Sequence, residues 1–343
     1  MPSPNVQDVR QEVFLQGVLD AAMQPDSDFV YDRAFGTVNV QQITGIYHSV
    51  PRGQLTRTEA RLRAYGTPAP LADFQLARKR YVCETIELAT PVYDDILNQC
   101  PNELDVLSMA TQGLGRKIKL KKETIWDAKF MRAGVWTGFT RGGIVSDLDV
   151  KNPEHNGGLT NGQFDVAGSN PQLTVNFAQR VMKSRHGLTG KTLVMSEDVY
   201  AYLKTHAQIK DEIKYSQSSL ILQNSEQGKQ LIAQALGVDE ILVQSAVVEQ
   251  GSEGQASNPG FIGSGNMLLL YKTPSPSIMT TSAGYIFNYT GDANATGGDQ
   301  GRMRSWREEP TRSRIYEAAS TFDYSIVASD CGVFFTNVLA GNA

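Results

Sequence analysis

Three stretches of the chain gather residue types that could carry chemistry. The first is Arg185-His-Gly-Leu-Thr-Gly-Lys-Thr192, whose Gly-Lys-Thr end has the look of a phosphate-cradling loop. Such a loop needs a further glycine, separated by four residues from its Gly-Lys pair, with a strand before it and a helix after it. Here Arg185 holds that glycine's place, and the strand pattern TLVM follows the motif. The stretch therefore reads as a turn before a strand. Gly263-Ser-Gly265 is a second short turn; it lacks the G-x-S-x-G spacing of a nucleophile elbow and has no helix behind it. The third stretch holds Asp147, Asp149, Glu154 and His155 in one Gly-rich loop. Oxygen donors and an imidazole of this kind could grip a divalent cation and activate water for hydrolysis. No fixed ligand spacing accompanies them, and a solvated loop explains them equally well.

The other histidines, His48, His186 and His206, form no metal-spaced pair with His or Cys. Cys83, Cys100 and Cys331 are scattered, with no C-x-x-C pair. They read as reduced, small buried hydrophobes in a cytosolic setting. No catalytic residue, metal ligand or cofactor is expected, and the reading is of a protein that is not an enzyme.

A run of like charge offers a different chemistry. Residues 51–80 carry Arg52, Arg57, Arg61, Arg63, Arg78, Lys79 and Arg80 against only Glu59 and Asp73. Large apolar residues are few there, and Gly66, Pro68 and Pro70 interrupt the middle. A stretch so poor in apolar groups buries little against its own chain. Tyr81 to Leu88 then resumes an alternating strand, with Tyr81, Cys83, Thr85 and Glu87 on one face. The pattern predicts a long basic hairpin with its turn near Pro68. Nucleic acid is one candidate partner, but only Tyr65, Phe74 and Tyr81 are interleaved for stacking. A docking arm that meets acidic surface on neighbouring copies fits better, because such an arm needs an external partner to become ordered.

The elements that would position this hairpin follow from periodicity. The chain has 343 residues, 41% hydrophobic and 20% charged, with a formal charge of −4 and a pI near 5.7. That length allows two or three domains with a large core, and the charge argues against a free-standing nucleic-acid binder. There is no signal-peptide pattern at the N-terminus, and no apolar run long enough to span a membrane. Asn288 and Asn294 match the glycosylation sequon without a secretory context. Residues 5–24 show a weak helical period through Val6, Val9, Val13, Leu15 and Leu19, and residues 35–50 read as an extended arm with a strand. Residues 102–132 predict a long helix with Leu104, Leu107, Thr111, Leu114, Ile118 and Ile125 on one face. Its middle, Arg116 to Lys122, is expected to be basic on the open face. Gly113 and Gly115 point to a bend or close packing. After a Gly-rich stretch come a strand at Thr192–Met195, a helix capped by Ser196, a second helix near 226–236 stopped by Gly237, and strands at 241–244, 267–271 and 285–289. A long alternating strand, 311–327, and a final one, 333–339, complete the chain.

This order of elements resembles the major capsid proteins of tailed bacteriophages, with the fold first described for phage HK97. Arg80-Tyr-Val-Cys-Glu-Thr-Ile-Glu-Leu88 resembles the return strand of that fold's extended hairpin, the E-loop. Met195-Ser-Glu-Asp-Val-Tyr-Ala-Tyr-Leu203 with Ile209 to Tyr215, and Leu231 to Val243, resemble its axial domain. Ser305 to Tyr324 and Val327 to Gly332 resemble its peripheral strands. The resemblance implies an α+β, HK97-like capsid fold with an N-arm at 1–47 and the E-loop hairpin at 48–90. A peripheral domain with the spine helix would occupy 91–170 and 304–343, and a mixed α/β axial domain 171–303. It further implies a non-enzymatic subunit that self-assembles into pentamers and hexamers, forming an icosahedral shell around a double-stranded DNA genome held by non-specific contact.

In that reading Arg52, Arg57, Arg61, Arg63, Arg78, Lys79 and Arg80 are inter-subunit contacts, and the N-arm clasps another copy. A portal, a scaffolding protein and a cementing protein are further partners, with the N-terminal start suggesting a separate scaffold or none. The setting is the virion capsid, assembled in the host cytoplasm, with no membrane contact. The hairpin tip has no lysine, so no covalent cross-link is expected. An encapsulin-like nanocompartment shell is the nearest alternative; a metal-dependent hydrolase using the Asp147–His155 loop is the alternative from another class.

Overall fold

The computed structural model describes residues 27–49, 58, 60–62, 65–66, 77–99, 103–141, 144–145, 147–155, 158, 162–166, 168–216, 225–251, 254, 256–263, 265–277, 280–291 and 301–342. The helical period at 5–24, the turn near Pro68, and Arg52, Arg57, Arg63, Cys100 and Asn294 lie outside them. In chain order come strands β1 (Gly36–Val40), β2 (Thr44–Ser49), β3 (Ala77–Val82) and β4 (Glu84–Tyr93), then helices α1 (Asp94–Gln99) and α2 (Glu103–Phe130). Three two-residue strands follow: β5 (Thr140–Arg141), β6 (Ile144–Val145) and β7 (Leu148–Asp149). Next are α3 (Pro171–His186), β8 (Thr192–Ser196), α4 (Glu197–Thr205), α5 (Ala207–Ser216), α6 (Ser225–Leu236) and β9 (Glu240–Gln244). The remaining strands are β10 (Val247–Glu249), β11 (Pro259–Phe261), β12 (Met267–Leu270), β13 (Gly284–Tyr289), β14 (Arg302–Glu308), β15 (Ser313–Ile326) and β16 (Gly332–Thr336).

Two five-stranded sheets organise the molecule. The first is built on the 14-residue β15, which has neighbours on both edges. Residues 313–322 bond β4 on one edge; on the other, residues 313–319 bond β14 and residues 322–326 bond β13. β1 then adds in parallel beside β13. The front half of α2 lies on this sheet, with Leu114 and Ile118 buried against Val92, Met303, Tyr316 and Ala318. The second sheet runs β7-β16-β12-β8-β9. Its inner strands TLVMS and MLLL are buried at every position, as expected where helices cover both faces.

A continuous core joins the two sheets. Trp126 and Phe130 from the far half of α2 pack with Phe29, Val30, Tyr31 and Phe35 and with the second sheet's apolar face. Phe29, Val30, Tyr31, Ala34 and Phe35 are therefore core, and the strand expected in the extended segment 35–50 is formed by β1 and β2, with β1 docked on the first sheet. The basic run of α2, Arg116 to Lys122, does not lie wholly on its open face. Lys122 is fully buried and Lys119 nearly so, with the Lys122 ammonium 4.9 Å from the Phe322 ring centroid.

Sheet membership crosses the expected domain boundary at 303/304. β13 joins the first sheet, and β16 joins the second. Both edges of β12 are already taken, by β8 and β16, so β13 pairs elsewhere. The alternation expected from Tyr81 to Leu88 also changes phase. Tyr81 and Cys83 face inward, but Ile86, Leu88 and Val92 carry the inward face of β4, because β3 packs on β13 and β4 packs on α2. Ser196 does stand at the start of α4, with Glu197 and Asp198 in the first turn, yet its hydroxyl makes no cap bond.

Gly138 and Gly332 show how closely the segment after α2 is packed. A Cβ at 138 would sit 2.3 Å from the Gly332 carbonyl oxygen, and one at 332 would sit 2.2 Å from the Trp136 ring. Gly113, by contrast, has open space around it in the exposed face of α2. Gly138→Ala is expected to destabilise by about 1–3 kcal/mol through overpacking. Gly113→Ala is expected to stabilise by up to ~1 kcal/mol through helix propensity. Urea midpoints of the two variants, which should move in opposite directions, check this.

Candidate assembly interface

The hairpin root is built by β2 and β3, paired antiparallel from Thr44↔Val82 to Ser49↔Ala77. Period-2 geometry sorts its residues onto two faces. Tyr47, Lys79 and Tyr81 point inward. The Tyr81 ring stacks on Phe287 at 4.5 Å, and its edge fills the space above Gly45, where a Cβ would approach it to 2.4 Å. The Tyr47 hydroxyl donates to the Ile326 carbonyl at 3.2 Å, and the Ser49 hydroxyl to that of Val327 at 3.3 Å. Lys79, expected with the arginines on the docking face, instead donates to the Val327 carbonyl at 2.6 Å and the Ile326 carbonyl at 3.3 Å. Burial pulls its pKa down. Lys79 is thus an anchor to its own chain.

The other face is uncovered. Ile46, Arg78, Arg80 and Val82 are exposed there, with Ile43 beside them. Further out, Arg61 is exposed, and Leu62 and Tyr65 are fully so. The structure thus places Arg78 and Arg80 on the solvent-facing side of the hairpin root, beside exposed Ile46 and Val82, and leaves Arg61 exposed as well.

What holds the ribbon's platform was not read from the sequence. Glu123, fully buried on α2, accepts the backbone N–H groups of Val30 and Tyr31, each at 3.0 Å, and the Gln244 side-chain amide at 2.8 Å. One carboxylate therefore ties the segment before β1, the helix and the edge strand of the second sheet. Burial pushes its pKa up to about 7, against the lowering effect of those three donors. Asp127, one turn on, is pushed up by burial to about 6. The spacing of Trp126 and Phe130 with Glu123 was the available signal, a second inward stripe at steps of three and four residues.

The chemical candidates are occupied otherwise. Asp147 accepts the Gly134 N–H at 2.8 Å, and Asp149 accepts the Lys151 N–H and the Asn337 amide, each at 3.0 Å. His155 Nδ1 accepts the Asp149 N–H at 3.3 Å, and the His155 ring packs edge-on against Phe139. Among the described residues no group of three or more His, Cys, Asp or Glu is placed to hold a metal ion. The Gly-Lys-Thr stretch follows α3, where Gly187 ends the helix in the left-handed region, and Lys191 pairs with Asp239 at 3.1 Å. His206 shares a 3.1 Å hydrogen bond with Ser169, but Ser169 is buried. Cys83 and Cys331 are buried and form no disulfide among the described residues, and burial first, then Asp323, pushes the Cys83 thiol up to about 12. Asn288 is buried inside β13, out of reach of a glycosylating enzyme. No described helix is long and apolar enough to cross a membrane.

No protein-family model and no curated protein sequence matches the chain. Solved structures do. A phage-related protein from Bordetella bronchiseptica RB50 superposes with a TM-score of 0.68 at 16% identity, covering 96% of this chain and 98% of that one. The mature capsid of bacteriophage PhiM1 superposes with a TM-score of 0.50 at 11% identity, covering 90% and 87%. Mixed sheets, a spine helix and a projecting hairpin root define an HK97-like capsid fold, and this chain has that fold.

The Glu123 knot makes stability depend on pH. Both carboxyls have folded-state values above their ordinary 4.5 and 3.8. The folded chain binds those protons more tightly, so their contribution is full below about pH 4 and is lost as pH rises through 6 and 7. Urea unfolding between pH 5 and 8 should show this loss, at most about 1.4 kcal/mol per pH unit for one group. Glu123→Gln should flatten much of it. Glu123→Ala should cost about 1–3 kcal/mol for each buried N–H left without an acceptor.

Proposed function

We propose that this chain is the major capsid protein of a tailed bacteriophage. It is a structural, non-enzymatic subunit that assembles into pentamers and hexamers and closes an icosahedral shell around double-stranded DNA. The observation that carries the reading is the β2–β3 ribbon. It is fastened to its own chain along one face by Tyr47, Lys79 and Tyr81 and left uncovered on the other, where Arg78 and Arg80 lie beside exposed Ile46 and Val82. A compact monomer gains nothing from such a projection. Its uncovered face suits a neighbouring copy, and interfaces made by interlocking arms reach the large buried areas of obligate assemblies. Closed point symmetry would limit growth of these head-to-tail contacts. The capsid fold supports the same conclusion. Expected partners are further copies of the chain, a portal and a scaffolding protein, with a cementing protein outside the shell. The setting is the virion capsid, assembled in the host cytoplasm.

Electron microscopy of the full chain purified in moderate salt tests the reading. Closed shells, tubes, or rings of five and six are expected. A stable monomer or dimer, even with a crowding agent and a candidate scaffold added, would overturn it. Charge reversal probes the ribbon directly. Arg61→Glu, Arg78→Glu or Arg80→Glu alone should weaken assembly slightly, since exposed pairs contribute ~0–1 kcal/mol each. The triple variant should stay folded by circular dichroism and fail to form shells.

A further inference from the structure

The exposed face of α2 carries charge of one sign. Met109, Gln112, Arg116, Lys117 and Lys121 are exposed on successive turns, and the acidic side chains of this part of the helix, Glu123 and Asp127, turn inward. Arg116, Lys117 and Lys121 make no ion pair among the described residues. Beside this face lies a cleft of about 420 Å³ lined by Asp28, Phe29, Gln112, Arg116, Ser245 and Val247. The described chain enters the molecule at that cleft: Asp28 accepts a hydrogen bond from the Ser245 hydroxyl at 3.2 Å. The described chain therefore begins at its mouth, with 26 residues preceding it in the sequence.

Those residues are acidic, with Asp8, Glu12, Asp20 and Asp26 against Arg10, and carry Val6, Val9, Val13, Leu15 and Leu19 at roughly helical spacing. We infer that in the unassembled subunit this segment folds back along the basic face of its own spine helix, setting Asp8, Glu12 and Asp20 against Arg116, Lys117 and Lys121. Spacing and reach both allow it. Asp8 and Glu12 are one helical turn apart, as are Lys117 and Lys121, about 6 Å at 1.5 Å per residue. The face from Met109 to Lys121 is about 18 Å long on the same rise, and twenty residues cover it even when helical. Apolar groups of the segment would meet exposed Met109 and Val247. The inference concerns the free subunit and stands or falls whether or not shells form.

Carbodiimide cross-linking of the full chain, purified as free subunits and mixed half with ¹⁵N-labelled copies, tests it. Cross-links from Lys117 or Lys121 to Asp8, Glu12 or Asp20 within a single isotope label are expected. Their yield should fall several-fold as salt shrinks the screening length from ~10 Å at 0.1 M to ~3 Å at 1 M. Absence of these cross-links, or their formation only between labels, would overturn the inference, the latter by assigning the segment to a neighbouring copy. A Lys117→Glu/Lys121→Glu variant gives an independent measure. Both positions are exposed, so an unchanged thermal midpoint is expected, while amide exchange across residues 5–24 should accelerate several-fold. Unchanged exchange there would count against docking.

Discussion

A single buried carboxylate organises this molecule. Glu123 accepts two backbone N–H groups from the segment before β1 and one amide from Gln244 on β9. Left unmet, each of those donors would be a buried polar group of the kind folded proteins avoid. Around this knot Trp126, Phe130, Phe35 and Tyr31 close the core. The spine helix therefore does more than span two sheets: the register of three separate chain segments is set by one side chain. Because burial holds that side chain's pKa near neutrality, the junction also responds to proton concentration.

The hairpin root depends on the same platform. β2 and β3 rest on β13 and on the carbonyls of Ile326 and Val327, at the end of β15. β15 is in turn held along both edges. The carbonyls that the ribbon grips therefore lie at the end of a 14-residue strand, just where residues 322–326 are bonded to β13. Lys79 adds a charged clamp where the ribbon leaves the body. This explains why one basic residue of the run turns inward while Arg78 and Arg80, its neighbours, turn outward: strand alternation admits no other arrangement.

Much of this was legible in the sequence, for identifiable reasons. The spine helix announced itself through Leu107, Thr111, Leu114 and Ile118, and β15 through an alternation of unusual length, because both rest on local periodicity. The hairpin root was legible from the resumption of strand pattern at Tyr81. The inward turn of Lys122 and Glu123 was not, since charged residues on a helix are read as solvent-facing until the partner that buries them is known. Nor was the exchange of β13 and β16 between the sheets, which is decided by which edges are already filled and not by any property of those strands alone. The acidic loop around His155 looked chemical because its residue types are; its geometry uses them for turns.

The pairing of β15 and β16 also bears on how a cell would make this protein. β15 draws together strands separated by more than two hundred residues, and β16 sits inside its sheet between β12 and β7. Neither sheet can close until residues 313–336 have left the ribosome. A nascent chain would wait with unpaired strand edges, among them the apolar MLLL strand. Loop closure over such separations is slow, and the waiting edges invite pairing with other chains. Folding of this subunit is thus expected to be post-translational and a natural client of chaperones.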